Sequence, residues 1–161
     1  VGDIVNPLQR TDRCNEIVFG IDLPVSPEEL ASLRRSVGWP VEGDYERLLD
    51  ENVFSVSARL DGRLVGFLQV VGSPHGDLLI HDVCVHPQVQ RRGVGTRLME
   101  IALDACQRWN PRGVNVLFEE KNRPFFERFG FRIMLGGYMD SMTLLSRRPK
   151  GFPGDPSGGI K

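Results

Sequence analysis

Apolar and small polar residues alternate from Val53 to Leu60, Asp61-Gly62 follows, and the segments Leu64 to Val71 and Leu78 to Val85 continue in strand-like fashion. Beyond them the period changes. Val94, Leu98, Ile101, Ala102, Ala105 and Trp109 recur at helical spacing from about Gly93 to Arg108. Side chains alternate faces along a strand and line one stripe along a helix. The stretch therefore predicts three sequential antiparallel strands and then a helix laid on one face of the sheet. Asp-Gly is a strong turn signal for joining the first two strands. Val114 to Phe118 is a further short apolar strand. A helix joins it to the strand before, so it should run parallel to that strand. All-helical and all-strand folds are excluded.

The flanks extend the same plan. Glu16 to Asp22 reads as a first strand, and Ser26-Pro27-Glu28-Glu29 opens a helix with a capping box. That helix stops near Val37, before Gly38-Trp39-Pro40, and Asp44 to Asp50 is a second short helix. Downstream, Arg123 to Phe129 predicts a short helix closed by Gly130, with Phe131 to Leu135 and Asp140 to Leu145 as last strands. The expected class is α+β: a mixed, mostly antiparallel sheet with helices on both faces. One domain is expected over 1–145. Residues 146–161 (SRRPKGFPGDPSGGIK) read as a disordered tail.

Composition narrows the function classes. Twenty Lys and Arg against 21 Asp and Glu give a formal charge of −1. That balance disfavours a general nucleic-acid binder. No apolar run approaches the roughly 18 residues of a membrane span. Cys14, Cys84 and Cys106 form no CxxC pair, which argues against a disulfide framework or a structural zinc site.

The chemistry concentrates in Val83-Cys84-Val85-His86-Pro87-Gln88-Val89-Gln90-Arg91-Arg92-Gly93-Val94-Gly95-Thr96. A strand ends, a loop follows, and glycines open an amphipathic helix. Unpaired N–H groups and a partial positive charge at a helix start suit a pyrophosphate. Gly93 and Gly95 allow close approach, and Arg91 and Arg92 add charge. The GxxxxGK[ST] pattern is absent, and Leu98 replaces the third glycine of GxGxxG.

Gln90, Gly93 and Gly95 after Val85-x-Pro87 resemble the acyl-CoA signature of the GNAT superfamily of N-acetyltransferases, Gln/Arg-x-x-Gly-x-Gly/Ala. Pro124-Phe125-Phe126-Glu127-Arg128-Phe129-Gly130-Phe131 resembles the second motif of that family. The resemblance implies the GNAT fold, with a splayed parallel strand pair, and acetyl-CoA as co-substrate without a metal. It implies pantetheine on the backbone of Val83, Cys84 and Val85, and pyrophosphate on the amides of Arg91, Arg92, Gly93, Val94, Gly95 and Thr96. Gln90, Asn122 and Phe126 complete the expected cofactor-binding set. His81 together with the Phe125 segment is similar to animal arylalkylamine N-acetyltransferases. Val37-Gly38-Trp39-Pro40 and Asp82-Val83-x-Val85 resemble plastid and cyanobacterial serotonin-acetylating relatives.

Acetyl transfer to an amine needs a base, a polarised carbonyl and a leaving thiolate. His81 is the expected base, since an imidazole accepts protons near neutral pH. Asp82 should point to the other face of the strand unless a bulge re-aims one of the two. Glu119 and Glu120 could bind the ammonium. His75 and His86 lie in loops, are expected to be exposed, and receive no role. Backbone amides near Val85 should polarise the carbonyl. Most relatives carry tyrosine where Phe126 stands, and Phe126 cannot donate a proton. Either the thiolate leaves unassisted or through water, or another group substitutes, with Tyr138 and Cys84 the candidates. A thiol nucleophile at Cys84 is disfavoured by its apolar strand, leaving direct transfer.

The expected activity is acetyl-CoA-dependent transfer to a small primary amine such as an arylalkylamine, with Trp39, Phe125 and Phe126 lining an apolar slot. Two alternatives stand beside it: a protein lysine or N-terminal acetyltransferase, and a non-catalytic acyl-CoA-binding module. Partners are acetyl-CoA and an amine, without nucleic acid or membrane, and a homodimer is compatible with the family. Cytoplasmic location is the default, with a plastid the alternative if a transit peptide preceded Val1.

Overall fold

The computed structural model describes residues 16–134 and 136–147. The chain divides into two compact units, Val1–Glu120 and Lys121–Lys161. The first contains β1 (Ile17–Ile21), α1 (Pro27–Ser36), α2 (Tyr45–Asp50), β2 (Phe54–Leu60), β3 (Arg63–Gly72), β4 (Asp77–Val85), α3 (Val94–Cys106) and β5 (Gly113–Val116). The strands form one sheet in the order β1-β2-β3-β4-β5. Neighbours are antiparallel except β4 and β5, which are parallel. This is the mixed α+β sheet that the period change predicts.

Local chemistry sets the boundaries. Ser26 Oγ accepts from Glu29 N at 3.2 Å while Ser26 N donates to Glu29 Oε2 at 3.0 Å, so the capping box forms. Asp44 caps α2 through Arg47 N at 3.1 Å. Asp61 and Gly62 both have positive φ, 49° and 78°. That is the backbone of the tight turn whose twist matches paired strands.

The two long helices cover opposite faces. Leu30 and Leu33 of α1 pack in one cluster with Phe67 of β3 and Cys84 of β4. On the other face α3 sits against Gly66, the neighbour of Phe67. A Cβ at Gly66 would lie 3.0 Å from Leu98 Cδ1, 3.1 Å from Ala58 Cβ and 3.2 Å from Val94 Cγ1. The missing side chain lets the first turns of α3 rest on the sheet. At the far end Trp109 stacks on Phe54, with ring centroids 5.4 Å apart. The buried stripe of α3 is Val94, Leu98, Met99, Ala102, Ala105 and Cys106. Ile101, expected inside, is half-buried; the stripe is rotated toward Met99.

In the second unit α4 (Arg123–Glu127) is the expected short helix. Phe126 is buried, with edge-on rings of Phe125 at 5.0 Å and Phe131 at 6.3 Å. The two expected last strands are absent among the described residues. Residues 131–134 and 136–140 are irregular, and α5 (Ser141–Ser146) is a helix. The reason is local. Asp140 accepts from Thr143 N at 2.8 Å and from Thr143 Oγ1 at 2.7 Å. A side-chain cap of this kind favours a helix start over continued extension. Ser146 closes α5 and Arg147 caps it. The rest of the expected tail, Leu135, Cys14 and the N-terminal segment lie outside the described residues.

Candidate active site

β4 pairs with β5 only from Asp77↔Gly113 to Ile80↔Val116. It then runs on to Val85 without β5 beside it. The departure coincides with a bulge. Gln69 pairs with His81 and Phe67 with Cys84, so Asp82 and Val83 together oppose Leu68. Asp82 is left-handed, with φ 55°. A bulge bends its strand and resets the alternation of faces. Here it brings His81, Asp82 and Cys84 onto the face that α1 covers.

The sequence left Asp82 on the opposite face from His81 unless such a bulge occurred, and the bulge unites them. His81 Nδ1 lies 3.1 Å from Asp82 Oδ1. Asp82 Oδ2 accepts from Arg34 of α1 at 2.6 Å. Arg34 Nε in turn donates to Pro40 O at 3.1 Å, and its guanidinium lies 5.3 Å from the Trp39 ring centre and 5.8 Å from that of Tyr45. Arg34 went unnoticed in the sequence, because nothing local marks a residue 48 positions before its partner. Trp39, expected in an apolar slot, packs against the hydrophobic core and beneath this guanidinium.

Electrostatics follow from this chain. The Asp82 hydrogen bond and then its charge outweigh burial and Arg34 repulsion, and raise His81 above its ordinary value of 6.5. For Asp82, burial opposes ionisation. The His81 hydrogen bond and charge, and the Arg34 guanidinium, outweigh it and hold the carboxyl below 3.8. The His81 side chain is 45% exposed while that of Asp82 is 6% exposed. With Nδ1 bonded to Asp82, Nε2 is the ring nitrogen left to work. Burial pushes the Cys84 thiol up to about 12, and its Sγ lies 3.7 Å from Leu33 O. Cys84 is therefore a core thiol at neutral pH.

After Val85 the chain makes a single 3-10 turn, Pro87–Val89, and then reaches α3. His86, expected to be exposed, is half-buried and caps that turn by accepting from Gln88 N at 3.3 Å. Gln90 Nε2 donates to Val85 O at 2.8 Å, tying the loop to the strand end. His86 N donates to Val65 O of β3. Backbone groups alternate sides along a strand, so the N–H and C=O of Val85 point to the edge that β5 has left.

Arg91 and Gly93 are left-handed, with φ 60° and 81°. Gly93 is the N-cap of α3 and supplies no side-chain cap bond. The helices α1, α2 and α5 all have such a bond. The bond from the cap into the helix is Arg97 N to Gly93 O at 2.9 Å. The amides of Val94, Gly95 and Thr96 thus precede the ladder. Arg91 and Arg92 are exposed beside them. One strand edge, one polar loop and one uncapped helix start lie in sequence along β4 and α3.

A family model described as Acetyltransferase (GNAT) family matches residues 25–131. The chain belongs to the GNAT acetyltransferase family. Solved structures agree on the fold. A GNAT-family acetyltransferase from Streptococcus pneumoniae is 25% identical with a TM-score of 0.69, over 78% of this chain and 99% of that one. An acetyltransferase from Trypanosoma brucei is 17% identical, with a TM-score of 0.65 over 78% and 99%. Glucosamine-6-phosphate N-acetyltransferase from Arabidopsis thaliana is 17% identical, with a TM-score of 0.60 over 76% and 99%. No curated protein sequence matches.

This GNAT enzyme therefore performs acyl transfer from acetyl-CoA. Glu119 and Glu120 are exposed after β5. His75 is exposed in the β3–β4 loop. Asn122 is exposed at the start of α4, and Tyr138 is 87% exposed; both belong to the C-terminal unit. A cavity of about 210 Å³ lies between the β1–α1 loop and the end of α2, lined by Asp22, Leu23, Pro24, Val25, Leu49, Asn52 and Ser55. None of the candidate residues lines it. No helix among the described residues is long and apolar enough to cross a membrane.

Proposed function

We propose that the enzyme transfers acetyl from acetyl-CoA directly to a small primary amine, with arylalkylamines the first class to test and His81 as the base. The observation that carries this reading is the Asp82–His81 pair at the edge where β4 parts from β5. Acetyl-CoA supplies an electrophilic thioester carbonyl. The residues suit such a molecule: a strand edge that β5 has left for an extended amide arm, and uncapped amides with two arginines for phosphates. Val83, Cys84 and Val85 would hold the arm through backbone groups. Arg91, Arg92, Gly93, Val94, Gly95 and Thr96 would hold the phosphates, with Gln90 bracing the loop. Asn122 and Phe126 are assigned to the same set through the family motif.

The chain's own groups then divide the work. Asp82 keeps the proton on Nδ1 of His81, so Nε2 presents its lone pair. His81 takes a proton from the acceptor ammonium, whose nitrogen keeps the electron pair for attack. The Val85 N–H is assigned to polarise the carbonyl oxygen. Phe126 has no proton to give, so the Tyr138 hydroxyl is the candidate donor to the departing thiolate.

Two measurements test this. Thiol release from acetyl-CoA is followed against arylalkylamines, polyamines, aminosugars and lysine peptides. Saturable turnover with arylalkylamines supports the reading. Turnover confined to peptides moves the function to protein acetylation, and binding of acetyl-CoA without turnover of any amine marks a binding module. With the active amine, kcat/KM should rise with pH along a limb centred above 6.5, since His81 must be neutral and its folded value is raised.

The cradle is tested separately. Gly93→Val forces a β-branched side chain into a left-handed backbone, at a cost of about 1–2 kcal/mol or more. The KM for acetyl-CoA is expected to rise roughly tenfold or more, with the KM for the amine little changed. An unchanged KM for acetyl-CoA would remove the start of α3 from the phosphate site.

A further inference from the structure

Gln69 is the residue of β3 paired with His81, at the last register position before the bulge. Directly opposed residues in an antiparallel pair share a face, with Cβ atoms about 4.5–5.5 Å apart. Gln69 is 1% exposed, and its Oε1 has no hydrogen-bond partner. A buried acceptor without a donor lowers stability. Native structures retain few of these, and such a group calls for an explanation.

The neighbouring imidazole provides one. When His81 is neutral and bonded to Asp82 through Nδ1, its Nε2 is an acceptor, as is the Gln69 carbonyl. Neither can satisfy the other. When Nε2 gains a proton it becomes a donor. We propose that Gln69 is a positioning residue of the acetyl transfer, whose buried carbonyl oxygen accepts the Nε2–H that His81 carries once the deprotonated amine has moved off to the thioester carbonyl. The inference rests on His81 being the base. The proton balance is closed: an N–H bond of the ammonium breaks, the electron pair stays on the amine nitrogen, and the proton moves to Nε2. Nδ1–H remains on Asp82.

The groups that act on this imidazole come from several elements. Asp82 lies on its own strand and Arg34 comes from α1. Cys84 interacts with that ion pair from further along β4, and Tyr45 of α2 lies over the Arg34 guanidinium. Gln69 is the β3 residue opposite it in register. Ser57 Oγ of β2 is also buried without a partner. It pairs with Phe67 rather than with Gln69, and serves as the control.

The experiment is an NMR titration of the His81 ring in the full chain, with the kcat/KM limb measured on the same proteins. Gln69→Leu should lower the His81 midpoint and the limb together, by roughly one pH unit. Gln69→Glu, which places a carboxylate there, should raise both, and it guards against a leucine variant that fails to fold. Ser57→Ala should move neither. An unchanged His81 midpoint in both Gln69 variants overturns the inference and leaves the base reading intact. So does an equal shift in Ser57→Ala, since the change would then report a general rearrangement of the buried side chains. A midpoint that moves while the limb stays put removes His81 as the base, and the role of Gln69 falls with it.

Discussion

His81→Ala is expected to lower kcat/KM for the amine about 10²–10⁴-fold, the usual contribution of a positioned base. The KM for acetyl-CoA should hardly change, because the assigned contacts of that molecule are on the β4 edge and the start of α3. The rising limb in pH should disappear with the imidazole. Raising the pH should recover part of the rate, since a free amine needs no enzyme base. A loss smaller than threefold at neutral pH, with the limb intact, would mean that another group takes the proton. The exposed Glu119 and Glu120 after β5 would be the next residues to replace.

Asp82→Asn should produce the largest loss of stability among single polar changes. Asparagine tolerates the left-handed backbone that Asp82 occupies, at φ 55°, so the change isolates the charge. It leaves the Arg34 guanidinium, 16% exposed, without its anion. Removing one partner of a buried pair costs about 3–5 kcal/mol. For a unit of this size that is on the order of 10 °C in Tm. The pH dependence follows from the two shifts. Asp82 is held below 3.8, so its contribution is present above that value and is lost as pH falls through the lower folded one. His81 is held above 6.5, so its contribution is complete below 6.5 and is lost as pH rises through the higher folded value. The gap in Tm between the two proteins should therefore be widest between about pH 4 and 6.5. It should narrow above that window, where only the Arg34 pair remains. The same variant should move the kcat/KM limb to lower pH. A gap that does not vary with pH would separate Asp82 from His81.

The contrast between α3 and α5 shows how far short-range signals reach. Val94, Leu98, Ala102 and Ala105 face the sheet because their spacing and a glycine at the contact agree. At Asp140 the same reading went wrong. Apolar alternation after it suggested a strand, yet one carboxylate bonded to Thr143 turns the segment into a helix. Alternation over six residues is weak evidence when a cap stands at its head.

The sequence by itself determined the α+β class, the antiparallel run from β2 to β4, the parallel return at β5, and the glycine-opened start of α3. These depend on residue period, turn chemistry and caps, all readable over a few neighbouring positions. The tertiary structure alone decided which side chains meet. A single bulge at Asp82 and Val83 carries His81 and Asp82 to one face. Arg34 arrives from α1 to hold Asp82, and β3 brings the unpartnered Gln69 opposite His81. Face and partner depend on register between strands and on helix packing. Those are set by contacts across tens of residues, and no local pattern in the chain encodes them.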